Sequence, residues 1–402
     1  MRRLSFFLAP LLATACFDGL LDVQINLPDD DAPTQVAEPE LPVFDIDRLV
    51  DNLDDAFADT AGAQIVVVED GQLYEAWAIG NAVYAPDPEG DVPMDLDERM
   101  TISSVSKFIG TIALMDLLEA EGIDVDEPIR PYLPPTWRNA MHPDHFAGGS
   151  PFVVTFEGLL TKDTALAFPT GSGGASPGRH ASNDEMLQAL TAPAAPGRWG
   201  SYQNGNFTLL RVLVGELAYD LDETSDVYDD LSSEVYADHL NQWIFGPLGI
   251  DPVGHVRPPG AVSRAYRFPF DPGFTDATGA LGWLPRDRWP VTAGSTELYM
   301  TAVELAEVVA FFRHDAGELL LSEAQRDNVL DLELGLTESV DGDHGRYPSK
   351  QGGRGPDGST RGYRSRVMFY PNDVEVVVIT NSYVTSLGPW LRDAYDDAWV
   401  TP

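Results

Sequence analysis

Two spacings of hydrophobic residues organise the first part of the chain. Over residues 46–57, apolar side chains recur every three or four positions, which predicts an amphipathic helix. The runs 64–69 and 72–79 are strand-like instead, and the Asp70-Gly71 pair between them is typical of a hairpin turn. We therefore expect the folded body to begin near Val43 with a helix followed by a β-hairpin.

The rest of the chain is mainly helical and returns to strands at its end. A helix is predicted to begin at Ser103 or Ser104, where serine would act as the N-cap, and to end at Gly122. Later elements follow in order: a helix over 297–312, strands over 363–370 and 374–380, and a last helix around 390–399. This order predicts an α+β fold, with an antiparallel sheet built from both chain ends, flanking helices, and a mainly helical lobe inserted at about 123–295.

The N-terminal region differs from this body. An almost wholly apolar run follows Arg2 and Arg3, is too short to span a bilayer, and ends in small residues before Cys16. The pattern is typical of a secretory signal and resembles a bacterial lipoprotein cleavage site, at which Cys16 would be lipidated. We predict a signal segment over 1–16, an acidic flexible linker over 17–42 and a folded domain over 43–402. Plain secretion and an incidental buried cysteine are the alternatives.

Charge narrows the range of partners. The formal net charge is −39, so the surface repels phosphate backbones, and no nucleic-acid partner is expected. Solubility or life in salty surroundings would explain such acidity, with binding of cations or basic partners as the alternative. Lysine occurs only at Lys107, Lys162 and Lys350, whereas arginine is frequent. Lysine can lose its proton when buried and arginine effectively cannot, so each lysine invites a chemical explanation.

Ser104 and Lys107 form the first candidate catalytic pair. Residues three apart share one face of a helix, so the amine of Lys107 can lie beside the hydroxyl of Ser104. A desolvated lysine can act as the base for a serine nucleophile, and a helix N-terminus favours the negative charge that develops on an attacked carbonyl. The alternative is structural, with Ser104 as a helix cap and Lys107 as a solvated side chain.

Two further groups strengthen the catalytic interpretation. Tyr202 and Asn204 precede an apolar helix and can supply a proton shuttle and a hydrogen bond to substrate. Lys350 is followed by Gln351 and then by Gly352-Gly353, ahead of a predicted strand. A cation beside bare glycine backbone can hold a carboxylate and offer an oxyanion N–H group.

These motifs resemble the serine β-lactamase and penicillin-binding-protein superfamily, nearest its branch of class C enzymes, D-Ala-D-Ala carboxypeptidases and esterases. That superfamily has Ser-x-x-Lys, Tyr-x-Asn and Lys-Thr-Gly in this order, and the resemblance covers roughly residues 44–400. Supporting stretches are Val68-Glu69-Asp70-Gly71, residues 123–128, residues 244–250, Ala293-Gly294-Ser295 and Ile379-Thr380-Asn381-Ser382.

The resemblance implies a role for each matched residue. Ser104 would be the acylated nucleophile, Lys107 its base or proton relay, and Tyr202 the group that protonates the leaving group and activates water for deacylation. Backbone N–H groups of Ser104 and Gly353 would form the oxyanion hole. The remaining matched residues, which would bind substrate, are Asn204, Lys350, Gln351 and Gly352.

The chain departs from the superfamily pattern at three places. Gln351 replaces the usual threonine, and residues 354–361 lengthen the following loop. The stretch Lys162-Asp163-Thr164-Ala165 matches the family's His-Thr-Ser-Gly only loosely, and Lys162 receives no role beyond that of a surface or helix-end lysine. These departures bear on specificity more than on the chemistry of the serine.

Other polar clusters lack the pattern of a binding site. His142 and His145 have no evident third metal ligand, so we expect no metal. The acidic residues between Asp220 and Asp226 have no glycine at the position that a calcium loop needs, and residues 171–174 lack the Gly-Lys-Ser/Thr of a phosphate loop.

Together these features predict an exported serine hydrolase that acts through an acyl-enzyme and needs no cofactor. Its substrate would be a small molecule or a cell-wall peptide: a carboxylate-bearing D-Ala peptide, a β-lactam or an ester. The expected location is the periplasm or cell surface of a bacterium, with membrane contact only through the lipid anchor. A catalytically silent binding lipoprotein on the same scaffold and an acidic surface adhesin are the alternatives.

Overall fold

A seven-stranded antiparallel sheet is assembled from the two ends of the chain. The computed structural model describes residues 41–168, 182–219, 221, 228–275, 281–285, 292–296, 298–317, 319–336, 338–356 and 360–401. The sheet strands, in chain order, are β2 (Gly62–Glu69), β3 (Gln72–Val83), β4 (Val92–Pro93), β8 (Glu338–Gly342), β9 (Gly345–Arg354), β10 (Tyr363–Phe369) and β11 (Val374–Thr380). They lie side by side in the order β4-β3-β2-β11-β10-β9-β8, so the N-terminal hairpin joins the C-terminal strands through the β2–β11 pair.

Short strand pairs and helices complete the fold. The short strands are β1 (Val43–Phe44) with β13 (Trp399–Val400), β5 (Met100–Ser103) with β7 (Leu298–Met300), and β6 (Tyr266–Arg267) with β12 (Ser382–Tyr383). The helices are α1 (Ile46–Phe57), α2 (Ser106–Glu121), α3 (Pro135–Ala140), α4 (Phe156–Thr161), α5 (Asn183–Thr191), α6 (Asn204–Tyr219), α7 (Tyr228–Leu240), α8 (Ala302–His314), α9 (Glu323–Asp331) and α10 (Gly388–Asp396).

Alternation along the central strands divides the core between the two faces of the sheet. On β2, Ile65 and Val67 pack with α1 and α10 in one cluster, whereas Val66 and Val68 face the cluster that contains α2 and α8. Successive strand residues point to opposite faces, so a strand buried on both faces is apolar throughout. Helix α2 thus lies against the sheet face to which Val66 and Val68 point.

The predicted α+β architecture is confirmed, with the helices α3–α7 inserted between the two halves of the sheet. One predicted element is wrong. The apolar run at 297–312 does not form a single helix, because Leu298–Met300 pair with Met100–Ser103 as strands. Helix α8 begins at Ala302, after Thr301 and Glu304 form a reciprocal capping box.

The predictions for the N-terminal segment lie outside the described residues. These are the signal over 1–16 with Cys16, most of the linker, and the division of the chain into those parts, and they stay predictions. Within the described ranges, every helix is too short or too polar to cross a bilayer.

Candidate active site

A strand, a tight turn and a helix place Ser104 at the site. Strand β5 ends at Ser103, whose φ of 50° is unusual for a residue with a side chain, and α2 begins at Ser106. The predicted N-cap is therefore wrong: Val105 occupies that position and makes no side-chain capping bond. The predicted stop is correct, since Gly122 ends α2 with φ of 67°. Without a capping role, the hydroxyl of Ser104 is available to other groups.

Two side chains converge on the hydroxyl of Ser104. Lys107 Nζ lies 3.0 Å from Ser104 Oγ, and the hydroxyl of Tyr202 donates to the same oxygen at 2.9 Å. Lys107 is fully buried and also donates to the backbone carbonyl of Ser295. That carbonyl is held by a close turn, because Gly294 has φ of 86° and a Cβ there would lie 2.5 Å from Phe207 O.

Burial and like charge perturb the lysines around Tyr202. Burial lowers the pKa of Lys107 well below its usual value, and the charge of Lys350 lowers it further. Lys107 Nζ and Lys350 Nζ lie 5.2 and 5.0 Å from the centre of the Tyr202 ring. Burial raises the pKa of Tyr202, so its phenol keeps its proton at neutral pH.

Strand β9 brings Lys350 to the same face of the sheet as Ser104. Lys350 is fully buried and pairs in register with Val367, while Gly352 pairs with Ser365. A Cβ on Gly352 would lie 2.3 Å from Ile102 O and 3.0 Å from the Ser104 amide nitrogen. The bare backbone at Gly352 therefore lies directly against the turn that holds Ser104, and Gly353 follows as the next residue of β9.

Burial lowers the pKa of Lys350 to about 8. Glu338 opposes this shift, whereas the charges of Lys162 and Arg366 add to it. The described part of β8 reaches only Glu338, opposite Ser349, so no described strand pairs with the outer edge of β9 from Lys350 onward.

Asn204 is the first residue of α6, two positions after Tyr202. It is buried, and its side-chain oxygen has no hydrogen-bond partner among the described residues. The intervening Gln203 donates to Leu166 O at 2.9 Å, which fixes this turn to the segment after α4. A buried amide oxygen without a protein partner can receive an N–H group of a bound substrate.

Gln351 is placed differently from the other matched residues. Its carboxamide oxygen accepts hydrogen bonds from Leu387 N at 2.7 Å and from Arg366 at 3.2 Å. Alternation along β9 turns this side chain to the sheet face opposite Lys350. The predicted substrate contact of Gln351 is corrected here: the amide fixes β9 to the loop before α10.

Sequence reasoning missed two contributors to the site. The Ser295 carbonyl was visible only as part of a matched stretch, and its bond to Lys107 depends on a fold contact across 188 positions. Lys162 was left without a role, yet it lies close enough to lower the pKa of Lys350. The scarcity of lysine was the available signal.

Within the described ranges, no three His, Cys, Asp or Glu side chains are arranged to hold a metal ion. His142 pairs with Asp144 at 3.4 Å, and His145 contacts the backbone carbonyl of Ala192 at 3.0 Å. The loop at 171–174 and most of the acidic stretch at 220–226 lie outside the described residues.

Comparisons with known proteins bear on the family and the fold of the chain. The family model described as Beta-lactamase matches residues 46–398. The D-alanyl-D-alanine-carboxypeptidase/endopeptidase AmpH of Escherichia coli K12 is 25% identical over 239 residues, which cover 58% of this chain and 55% of that protein. The chain thus spans about half the length of this curated relative.

Two solved structures share the fold. FmtA from Staphylococcus aureus superimposes with a TM-score of 0.61 at 16% identity, covering 92% of this chain and 91% of its own. A class C β-lactamase from Rhodobacter sphaeroides gives a TM-score of 0.58 at 18% identity, covering 87% and 98%. With a family model that matches most of its length and an antiparallel sheet flanked by helices, the chain belongs to the Beta-lactamase family of serine hydrolases.

Proposed function

We propose that this protein hydrolyses an amide or ester bond through an acyl-enzyme formed on Ser104. The observation that supports this most directly is the convergence of Lys107 Nζ and the Tyr202 hydroxyl on Ser104 Oγ, at 3.0 and 2.9 Å. A nucleophile in hydrogen-bond contact with a base, and a second group placed to move protons, is the arrangement that nucleophilic catalysis requires.

Acylation begins with proton transfer from Ser104 to Lys107. Since burial and the charge of Lys350 favour the neutral amine of Lys107, it can accept the hydroxyl proton as Oγ attacks the carbonyl carbon. The carbonyl oxygen becomes an oxyanion, which the N–H groups of Ser104 and Gly353 would receive in this proposal. Collapse of this intermediate breaks the bond to the leaving group, which takes a proton from Tyr202, and leaves the acyl-enzyme.

Deacylation repeats the proton movements with water. After the acyl-enzyme has formed, Tyr202 recovers a proton from the protonated Lys107 through solvent, so the phenol is again protonated and the amine of Lys107 is again neutral. Lys107 then takes a proton from the attacking water and returns it to the Ser104 oxygen as that oxygen leaves. Because its pKa is raised, Tyr202 enters the proton transfers as a neutral phenol that donates a proton, and not as a phenolate.

The substrate that we propose bears a carboxylate. Lys350 places a buried cation 5.0 Å from the centre of the Tyr202 ring, on the sheet face of the nucleophile. Asn204 offers a buried oxygen to a substrate amide. A D-Ala peptide or a β-lactam fits both groups, and AmpH, the curated relative, is itself a D-alanyl-D-alanine carboxypeptidase and endopeptidase. An ester without a carboxylate would use Ser104, Lys107 and Tyr202 but would not need Lys350. We further propose that the chain is exported and is lipidated at Cys16.

The test is the intact mass of the purified protein after exposure to a fluorophosphonate and, separately, to a penicillin. Ser104→Ala is the test variant, and Ser201→Ala, at a half-buried serine beside Tyr202, is the matched control. Adducts with both reagents that need Ser104 but not Ser201 support a peptidase or β-lactamase. An adduct with the fluorophosphonate alone favours an esterase. Absence of both adducts would refute the hydrolase proposal and favour a binding protein on this scaffold.

A further inference from the structure

One hydroxyl between Ser104 and Lys107 has no part in the proposed chemistry, yet it makes two hydrogen bonds. Ser106, the first residue of α2, is buried, and its hydroxyl donates to Ser103 O at 2.7 Å. The same oxygen accepts from the backbone N–H of Leu298 at 3.1 Å, across 192 positions of the chain. Ser106 thus joins the turn that carries Ser104 to the start of β7.

The first of these bonds holds a strained turn. Ser103 has φ of 50°, a conformation that a residue with a side chain keeps only where its surroundings impose it. Thr101 Oγ1 accepts from the Ser103 N–H at 3.1 Å, and the Ser106 hydroxyl holds the Ser103 carbonyl. Both backbone polar groups of Ser103 are therefore bonded to side chains, and these bonds set the direction in which Ser104 leaves the turn.

The second bond fixes β7, which follows the segment that holds the base. The ladder between β5 and β7 shifts register next to this point, and here the Leu298 N–H bonds to the hydroxyl of Ser106. Three positions before Leu298, the Ser295 carbonyl accepts from Lys107 Nζ. The position of β7 relative to the turn therefore bears directly on where the amine of Lys107 lies.

Ser106 and Lys107 thus span the same two segments in parallel. Lys107 Nζ lies 3.0 Å from Ser104 Oγ and also donates to the Ser295 carbonyl. Ser106 Oγ joins the residue before Ser104 to the strand that follows Ser295. A buried hydroxyl that uses both its hydrogen and a lone pair fixes the two segments, and its loss breaks both bonds at once. A change in the separation of the segments changes the distance between nucleophile and base.

We propose that Ser106 is a positioning residue that sets the distance between Ser104 and Lys107, an inference that rests on the proposed function and deepens it. Ser106 donates to Ser103 O rather than to a reacting atom, and it acts only through the turn and β7. A displacement of about 1 Å between reacting groups lowers a rate by about 10²-fold, so even partial relaxation of the turn should slow acylation measurably.

The first measurement compares Ser106→Ala with Ser382→Ala. The Ser382 hydroxyl is also buried and accepts from the Ala61 N–H at 2.7 Å, so each variant removes the hydroxyl acceptor of one backbone N–H. Both should melt at lower temperature than the wild type. Only Ser106→Ala should slow acylation by a fluorophosphonate, by about tenfold or more, whereas Ser382→Ala should stay within about threefold of wild type. Ser106→Cys, which keeps weaker bonds, gives the same comparison if alanine prevents folding.

The second measurement observes the base itself and needs no turnover. Lysine occurs only at positions 107, 162 and 350, so protein labelled with ¹³C at lysine Cε gives few side-chain signals in NMR spectra, and the one absent from Lys107→Met belongs to Lys107. We expect the pH midpoint of this signal to rise in Ser106→Ala, because a displaced amine loses part of the burial that lowers the pKa of Lys107. In Ser382→Ala the midpoint should stay at its wild-type value.

Together the two measurements separate the role of Ser106 from the hydrolase proposal. A loss of rate confined to Ser106→Ala, with a raised Lys107 midpoint, is the expected result. If the wild type is acylated but both serine variants react at the same rate, or the Lys107 midpoint does not rise, the hydrolase proposal stands and the role of Ser106 is overturned. If the wild type is not acylated, the hydrolase proposal fails and the Lys107 midpoint alone decides whether Ser106 positions the base.

Discussion

Adding one methyl group at Gly352 tests whether β9 must lie directly against the nucleophile turn. In Gly352→Ala, the new Cβ would lie 2.3 Å from Ile102 O and 2.3 Å from Ser365 Oγ. Ordinary contacts to carbon are about 3.5 Å, so the strand and the turn must separate by about 1 Å. The Ser365 hydroxyl donates to Ile102 O at 2.6 Å, so the crowded atoms are already joined and cannot move apart freely.

The expected cost follows from that displacement. A shift of about 1 Å between reacting groups lowers a rate by about 10²-fold, and loss of one oxyanion donor costs a similar amount or more. Because overpacking in a core costs about 1–3 kcal/mol, we also expect Gly352→Ala to unfold at lower urea concentration. The assay is the acylation rate with a fluorophosphonate, read by mass, together with urea unfolding of the same preparation.

The adjacent glycine provides the matched control. A Cβ on Gly353 would meet the Arg364 guanidinium, with Nη1 at 2.3 Å, and this end of a long side chain can turn away at the cost of its hydrogen bond to Val384 O. Gly353→Ala also keeps the backbone N–H assigned to the oxyanion hole, so we expect less than a fivefold loss of rate and under about 1 kcal/mol of stability. Equal behaviour of the two variants, or a milder effect at Gly352, would refute the close approach of β9.

Four further predictions address charge, the relay and stability. Burial lowers the pKa of Lys350 to about 8, and in the proposed function its charged form binds the substrate carboxylate, so kcat/KM for an acidic substrate should fall as pH rises through about 8. The value for the carboxamide analogue should not fall, and parallel pH profiles would contradict this. Tyr202→Phe removes the hydroxyl that donates to Ser104 and should lower the acylation rate by about 10²-fold or more with an unchanged melting temperature; a rate within threefold of wild type would remove Tyr202 from the relay. Burial raises the pKa of Asp116 to about 6, so between about pH 4 and pH 6 the folded protein keeps a proton that the unfolded chain has released, and stability should fall as pH rises through this range. Asp116→Asn should flatten this part of the curve of melting temperature against pH. An unchanged slope would exclude Asp116 as its source. Arg211→Met breaks the buried bond to Asp229 at 2.6 Å and should cost about 2 kcal/mol in urea unfolding, whereas a neutral result would mean that hydrophobic packing replaces the ion pair.

The periodic parts of the fold were predictable because the relevant forces are local. Apolar spacing over 46–57 predicts α1 with the bounds observed, and the Asp70-Gly71 turn joins β2 to β3 as expected. The sequence pattern could not show whether Leu298–Met300 form a helix or a strand, because a three-residue apolar run is compatible with both. Its pairing with β5, almost 200 positions earlier, decides the matter, and such pairings leave no mark in a local window.

The site was predictable where its residues are close together in the sequence, and it was not predictable where distant segments meet. Ser104 and Lys107 are three positions apart, so helix geometry alone brings them into contact. The predicted start of α2 was nevertheless too early, because Ser103 ends β5 with φ of 50°, outside the helical region, and the helix begins only at Ser106. Gln351 was misassigned for a related reason, since strand alternation decides its direction and the register of β9 is fixed by β10.

The preference for lysine at the site has a common physical cause. An arginine at position 107 would keep its proton in the same buried pocket, because the guanidinium pKa lies above 12, and it could not accept the proton of Ser104. Burial alone lowers the pKa of a lysine there, and the nearby charge of Lys350 lowers it further. In the proposed function, Lys350 thus has two effects: its charge attracts an anionic substrate, and it favours the neutral form of Lys107. When a carboxylate binds, it offsets the charge of Lys350, and the pKa of Lys107 should rise toward that of an amine able to hold the proton of Ser104 during attack. Substrate charge and base strength are therefore coupled through Lys350, and an arginine-rich chain can obtain that coupling only by using lysine at position 107.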